Sequence, residues 1–257
     1  MIPVPDKDSK LDWVCYSIDV DFYPEIKLDR AVGLKFCSEV QEVFEVGKSV
    51  FESDCWEISG SGAGDGILVI VTKSSLSIFV GEPKQNLEWY EQRIVAVIKA
   101  FANRFTPIAM LESTVGLTGL LDLPEMLVKV EGDDSNETVS LPAMGFLGGC
   151  VMSMTPKKFQ VFERPIEMLG LKFTLPAGKD KKTNEVFDWE GVFKIDSATF
   201  DEDRLRISTN AVWKGHSEWS EELPEKLGLR LHEIENFIST KIIEFLRHSP
   251  VDDRNDD

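Results

Sequence analysis

The stretch that decides the fold is GSGAGDGILVIVTKSSLSIFVGEPKQNLEWYEQRIVAVIKAF, residues 60–101. Residues 67–71 and 76–80 are two apolar segments separated by a short polar turn, a pattern typical of a β-hairpin. From Leu87 onward, apolar residues recur every three to four positions, which is the period of an amphipathic helix. Asn86 stands directly before that segment and is a favoured N-cap residue. The stretch therefore predicts a glycine-rich loop, a hairpin and a long helix.

The alternating glycines invite comparison with phosphate-binding loops. In those loops the glycines lead directly into a helix, whose N-terminus faces the phosphates. Here Gly60, Gly62, Gly64 and Gly66 lead into a strand instead, and the helix begins only after the hairpin. We therefore interpret the glycines as a hairpin loop, and the sequence predicts no bound nucleotide and no other cofactor.

Similar periodic patterns occur on both sides of this stretch. Alternating residues predict a strand over 13–22, and helical spacing predicts a helix over 27–46. A further strand is predicted over 50–59 and an extended segment over 108–121. The second half predicts strands at 138–145, 158–162 and 168–175, a hairpin over 191–200 and 205–213, and a long helix over 223–247. Because a hairpin followed by a long helix occurs twice, the predicted fold is α+β, with antiparallel sheets, helices packed on one face and two ferredoxin-like halves.

A charged, glycine-containing segment, EGDDSNE at residues 131–137, is the best candidate for a boundary between the halves. It predicts an N-terminal α+β half over 1–130 and a β-rich C-terminal half with a terminal helix over 138–248. Residues 249–257 are strongly acidic, and we expect them to form a disordered tail.

Charge and cysteine content restrict the functional class. Asp and Glu number 45 against 28 Lys and Arg, a net charge of −17. This charge disfavours direct binding to nucleic acids and to anionic membranes. The four cysteines form no C-x-x-C pair, and the sequence shows neither an apolar leader nor a membrane-spanning run. We expect a reduced, cytoplasmic protein without a membrane partner; its oligomeric state cannot be predicted.

Motifs for catalysis are weak, so no catalytic residue, cofactor ligand or metal ligand is assigned. The chain contains neither H-E-x-x-H nor G-x-S-x-G. Asp19 and Asp21 share the polar face of the first strand and precede Glu25-Ile26-Lys27, which loosely resembles the carboxylate site of some nucleases. A metal-dependent hydrolase or nuclease with a spatially assembled site is therefore one alternative function. A second alternative is an acidic nucleic-acid mimic, with carboxylates at phosphate spacing.

Aromatic residues near predicted turns favour a third possibility, which we rank first. Trp89 lies beside the apolar stripe of its helix, and Trp213, His216 and Trp219 cluster after the last hairpin. Tryptophan is enriched at protein interfaces. We therefore predict a non-catalytic accessory or regulatory module that binds a protein partner, expected to be basic, through these four residues.

Short motifs also carry a family resemblance. They are W-Y-E-Q-R-I in the helix after Asn86, Val115-Gly116-Leu117 in the extended segment, and Leu231-His232, Ile234 and Phe237-Ile238 in the last helix. In this order the chain resembles a sporadically distributed bacterial family of two-part α+β proteins of unknown function. The resemblance implies no catalytic residues, and the patchy distribution of the family implies an accessory role in a bacterial defence-type system.

Overall fold

The protein is described by a computed structural model over residues 11–60, 66–123, 125–129, 136–140, 146–147, 170–179, 186–198 and 201–247. Its strands are β1 (Leu11–Tyr23), β2 (Val46–Phe51), β3 (Cys55–Gly60), β4 (Gly66–Thr72), β5 (Ser75–Gly81), β6 (Ala109–Asp122), β7 (Glu125–Lys129), β8 (Asn136–Ser140), β9 (Gly170–Leu175), β10 (Gly178–Lys179), β11 (Val186–Phe187), β12 (Glu190–Ala198) and β13 (Asp201–Glu218). Its helices are α1 (Arg30–Val43), α2 (Leu87–Phe105), α3 (Leu223–Phe237) and α4 (Ile243–Arg247), and a π-helical turn (Ile238–Ile242) joins the last two.

Nine of the described strands form one antiparallel sheet in the order β2-β3-β4-β5-β1-β6-β13-β12-β9. The two long pairings at its centre are β1 with β6 and β6 with β13. Two small ladders, β7 with β8 and β10 with β11, stand apart from it. The predicted α+β class with antiparallel strands is confirmed.

The division into two ferredoxin-like halves is not confirmed. Such a half has two strands between its helices, whereas four strands, β2 to β5, lie between α1 and α2 here. One cause of the two additional strands is a tight turn between Phe51 and Cys55. Residues 50–59 were expected to be one strand, but Glu52 N–H donates to the Cys55 carbonyl at 2.9 Å, and the segment folds into the hairpin β2–β3.

Among the described residues, one face of the sheet carries the helices and the other does not. Along β1, Tyr16, Ile18 and Val20 are buried, while Ser17 and Asp21 lie on the opposite face, which we call the open face. Aromatic contacts join the buried side to the helices: the Tyr16 ring lies 5.7 Å from that of Tyr90 in α2, measured between centroids. One hydrophobic core therefore fills the space between the sheet and the helix layer.

The helices begin where the sequence provides caps. The Asp29 carboxylate accepts from the backbone N–H groups of Ala31 and Val32, and the Asn86 side chain accepts from that of Trp89 at 3.0 Å. Pro224 occupies the first turn of α3, as predicted from the sequence.

Gly33 lies inside α1, where glycine is usually unfavourable. The reason is close packing: a Cβ there would lie 2.8 Å from Cδ1 of Phe51 and 3.1 Å from Cε2 of Trp56. The absence of a side chain lets α1 approach the hairpin β2–β3, so packing outweighs helix propensity at this position.

The described parts of the two predicted halves share the sheet and the core. Arg204 to Glu218 of β13 pair along β6, with one irregularity after Lys214. The proposed boundary at 131–137 falls mostly outside the described residues, as do the predicted strand over 158–162, the greater part of the glycine loop and the tail over 249–257. Among the described helices, none has the length and apolar character needed to cross a membrane.

Candidate partner-binding surface

The structure places the four predicted partner-binding residues in three different environments. Trp89 lies in α2 and is half-buried. The Arg93 guanidinium lies 3.4 Å from its ring centroid, and the rings of Phe44 and Tyr90 pack at 6.4 and 4.8 Å. The indole of Trp89 is thus largely occupied by contacts within the chain.

Trp213 is 4% exposed and belongs to a polar network beneath α3. Its indole N–H donates to Asp188 Oδ1 at 2.8 Å, and the Arg230 guanidinium lies 4.7 Å from its ring centroid. Arg230 also donates to the hydroxyl of Ser113, which is buried in β6. Burial lowers the pKa of Arg230, with Asp188 and Glu233 opposing that effect. The network attaches α3 to the sheet. Because so little of Trp213 is exposed, a partner could contact only a small part of this side chain.

His216 and Trp219 lie together at one end of the sheet. Gly215 and His216 form an irregularity in β13, between the residue pairs Lys214–Glu112 and Ser217–Met110, and Gly215 has a φ of 132°. His216 is exposed there, while Trp219 is half-buried.

Three large apolar side chains are exposed at the same end of the sheet. They are Tyr23, Ile108 and Leu111, with exposed fractions of 57%, 62% and 43%. The Ile108 N–H donates to the Tyr23 carbonyl and the Trp219 N–H to the Ile108 carbonyl, each at 2.8 Å. Since neighbouring strands lie about 5 Å apart, these bonds place the backbones of Tyr23, Ile108 and Trp219 in adjacent segments. We call Tyr23, Ile108, Leu111, His216 and Trp219 the strand-end surface.

The residues around the strand-end surface are predominantly acidic. Exposed or half-exposed carboxylates follow or precede each of its segments: Asp21, Glu25, Glu112, Glu218 and Glu221. Lys214, which lies beside His216, is paired with Glu190. The strand-end surface therefore combines exposed apolar side chains with neighbouring carboxylates.

A groove extends this surface along the helix layer. It has a volume of about 520 Å³ and is lined by residues from the end of α2, from the loop after β13 and from the first turn of α3: Lys99, Ala102, Asn103, Trp219, Ser220, Glu221, Pro224 and Glu225. Trp219 lies at its inner wall, with its ring 6.4 Å from that of Phe101 in the core. Lys99 and Glu225 form an ion pair of 2.5 Å between α2 and α3.

Asp19 and Asp21, the carboxylates of the hydrolase alternative, do share one face of β1. Partial burial, followed by the nearby Asp19 charge, raises the pKa of Asp21. Within the described ranges, no group of three or more His, Cys, Asp or Glu side chains could hold a metal. Ile26, the middle residue of the predicted E-x-K segment, donates its backbone N–H to the Lys73 carbonyl at the turn between β4 and β5.

His232 has two acidic neighbours, one in each of two helices. Its Nε2 lies 2.8 Å from Glu91 Oε2 in α2, and its Nδ1 lies 3.7 Å from Glu235 Oε2 in α3. Gly228, one turn earlier, allows the helices to approach, since a Cβ there would lie 2.8 Å from Cγ2 of Val95. This histidine therefore links α2 to α3.

Replacing Asp21 with asparagine is expected to raise the melting temperature at pH 7.5 by at most about 2 °C. The pKa of Asp21 is raised in the folded state. Its ionised form therefore costs stability at neutral pH, and this cost disappears as the pH falls through the folded pKa. Thermal unfolding of the wild type, Asp21→Asn and the exposed-loop control Asp54→Asn at pH 7.5 and pH 4 measures the effect. A lower melting temperature of Asp21→Asn at pH 7.5 would contradict this expectation, whereas stabilisation of the wild type by Mg²⁺ or Mn²⁺ that the substitution removes would support a metal site.

Comparison with known sequences adds no family. No protein-family model matches the chain, and no curated protein matches it. The resemblance drawn from the motifs consequently stays a prediction, and the functional argument depends on the geometry above.

Proposed function

We propose that this chain is a non-catalytic, acidic module that binds a basic protein partner through the strand-end surface. The observation that carries the proposal is the group of three exposed apolar side chains, Tyr23, Ile108 and Leu111, within a margin of carboxylates. Protein interfaces combine such an apolar centre with a polar rim, and a few central residues contribute most of the binding energy.

The charge distribution supports the choice of a basic partner. The net charge of −17 attracts a positively charged protein over several ångströms, and the carboxylates near His216 and Trp219 would face its lysines and arginines. Electrostatic complementarity of this kind accelerates association and makes it sensitive to salt. A second copy of this chain carries the same negative charge, so self-association through the strand-end surface is disfavoured.

The test compares the wild type with the double variant Ile108→Ser/Leu111→Ser. A control variant, Leu34→Ser/Leu229→Ser, removes two similarly exposed apolar side chains from the outer surfaces of α1 and α3. Each protein is immobilised and exposed to an extract of the source cells, and the retained protein is then purified for titration. We expect a basic protein that the wild type and the control bind equally, and at least tenfold weaker binding by the strand-end variant.

Three results would contradict the proposal. One is equal binding of the partner by all three proteins, and another is binding that does not weaken between 50 and 500 mM NaCl. The third is a chain that retains no protein and runs as a monomer in light-scattering chromatography at every salt concentration.

A further inference from the structure

A second groove lies away from the strand-end surface, beside the C-terminal helix. It has a volume of about 430 Å³ and is bounded by the segment after β9, the ladder β10–β11 and the junction of α3 with the π-helical turn. Its lining residues include Lys179, Phe187, Trp189, Phe237 and Lys241. We call it the lysine groove, after the two charged residues among them.

Three aromatic rings form one wall of the lysine groove. The ring of Trp189 lies 5.5 Å from that of Phe187 and 5.1 Å from that of Phe237, at interplanar angles of 69° and 88°. The Trp189 N–H donates to Glu233 Oε1 at 2.7 Å. The polar edge of the indole is thus satisfied by α3, and what the three rings present to the groove is apolar. Groups of this kind bind hydrocarbon.

The charges of the lysine groove are opposite to those of the molecule. Among the residues that the structure describes, the only ionisable ones lining it are Lys179 and Lys241, and none is a carboxylate, although acidic residues outnumber basic ones by 45 to 28 in the chain. Neither lysine makes an ion pair with another described residue. Several basic residues of the sheet and helices, such as Arg206 and Lys99, do have acidic partners. The two groove ammonium groups are therefore available to an anion.

The helix is irregular where it borders the lysine groove. Phe237 ends α3, and Lys241 lies in the π-helical turn that follows. The extra residue of this turn lets the consecutive Ile242 and Ile243 both face the core, at 3% and 2% exposure. π-helical turns are rare and are frequently found at functional sites.

We propose that the lysine groove binds a small amphipathic carboxylate, of the medium-chain fatty-acid type. The hydrocarbon chain lies against Phe187, Trp189 and Phe237, and the carboxylate lies between Lys179 and Lys241. The volume of the groove is within the range of about 300–1,000 Å³ that is typical of small-molecule sites. The site is independent of the proposed protein partner, because it shares no residue with the strand-end surface.

Isothermal titration calorimetry with dodecanoate, at pH 8 and below its micelle concentration, tests the proposal. Dodecyltrimethylammonium carries a similar hydrocarbon chain with the opposite charge, and acetate carries the carboxylate without the chain. We expect saturable, one-to-one binding of dodecanoate, at least tenfold weaker binding of the cationic analogue, and no detectable binding of acetate.

Lysine-to-methionine substitutions separate charge from packing, because methionine keeps an apolar stem of similar length. Lys179→Met and Lys241→Met, singly and together, are expected to weaken dodecanoate binding, at least tenfold in the double variant. Lys226→Met is the matched control, since Lys226 is an exposed lysine of α3 that pairs with Glu222 outside the groove. Unchanged circular dichroism and melting temperature establish that each variant is folded.

The proposal is overturned by any of three results. They are the absence of binding heat with up to 1 mM dodecanoate, equal affinity for the cationic analogue, or equal affinity of the double variant and Lys226→Met. None of these results affects the strand-end proposal, whose variants lie elsewhere.

Discussion

Replacement of Phe101 by alanine is expected to lower the free energy of unfolding by about 3–5 kcal/mol, the usual cost of removing a fully buried phenylalanine. Phe101 is 0% exposed. Its ring lies between the sheet and the helices, with centroids 5.0 Å from Phe22, 6.1 Å from Phe36 and 4.8 Å from Phe105. Neighbours from three elements cannot all move into the vacated space, so a cavity is expected to persist.

Urea unfolding monitored by circular dichroism measures this effect, and Phe79→Ala is its control. Phe79 lies on the open face in β5 and is 42% exposed, so its removal is expected to cost about 1 kcal/mol. Equal costs for the two substitutions would contradict the assignment of Phe101 to the centre of the core. Phe101 also supports Trp219 from behind, and Phe101→Ala should therefore weaken partner binding even where the protein remains folded.

Local patterns were sufficient to predict the elements of residues 66–105. The two apolar segments that form β4 and β5 have their turn at Lys73 and Ser74, and the helix begins at the expected Asn86 cap. The hairpin and the start of the helix both depend on interactions within a few residues, and such local interactions can be recognised from the sequence pattern. The hairpin β2–β3 was missed because Phe51 and Cys55 flank its turn without glycine or proline, so that the two strands resembled one.

Pairing between distant strands could not be predicted in the same way. The register that places Val115 opposite both Ile18 and Ala211 joins residues almost a hundred positions apart. Any alternating strand offers an apolar face to any other, so the sequence does not specify which strands become neighbours. This is why the ferredoxin-like arrangement was expected and a single nine-stranded sheet was found.

The candidate surface was predicted only in part, for a related reason. His216 and Trp219 were selected as aromatic groups near a turn, and the surface proposed above includes both of them. Tyr23, Ile108 and Leu111 were not selected, because apolar residues at strand ends are indistinguishable from core residues until the ends of the strands are located. One available signal was Pro24, which ends β1 immediately after Tyr23 and so places that ring at the edge of the core.

Replacement of Arg206 by methionine is expected to cost about 3 kcal/mol at pH 7, as is usual when a buried carboxylate loses its partner. Asp196 is 6% exposed and stands directly opposite Arg206 across β12 and β13. The guanidinium donates to both carboxylate oxygens, at 2.9 and 2.8 Å, and Lys194 makes a further ion pair. Burial alone would raise the pKa of Asp196, but the hydrogen bonds from Arg206 and Lys194 outweigh it and lower the pKa.

The pH dependence distinguishes this ion pair from simple packing. Because the folded pKa of Asp196 lies below the unfolded value of about 3.9, the stabilisation is complete above that value and is lost as the pH falls through the folded pKa. The difference in unfolding free energy between the wild type and Arg206→Met should therefore shrink as the pH is lowered from 7 to 3. Lys214→Met is the matched control on the same two strands: its pair with Glu190 is exposed to solvent and should contribute much less. Equal costs for the two substitutions, or a cost of Arg206→Met that stays constant with pH, would show that Asp196 is stable without its guanidinium partner.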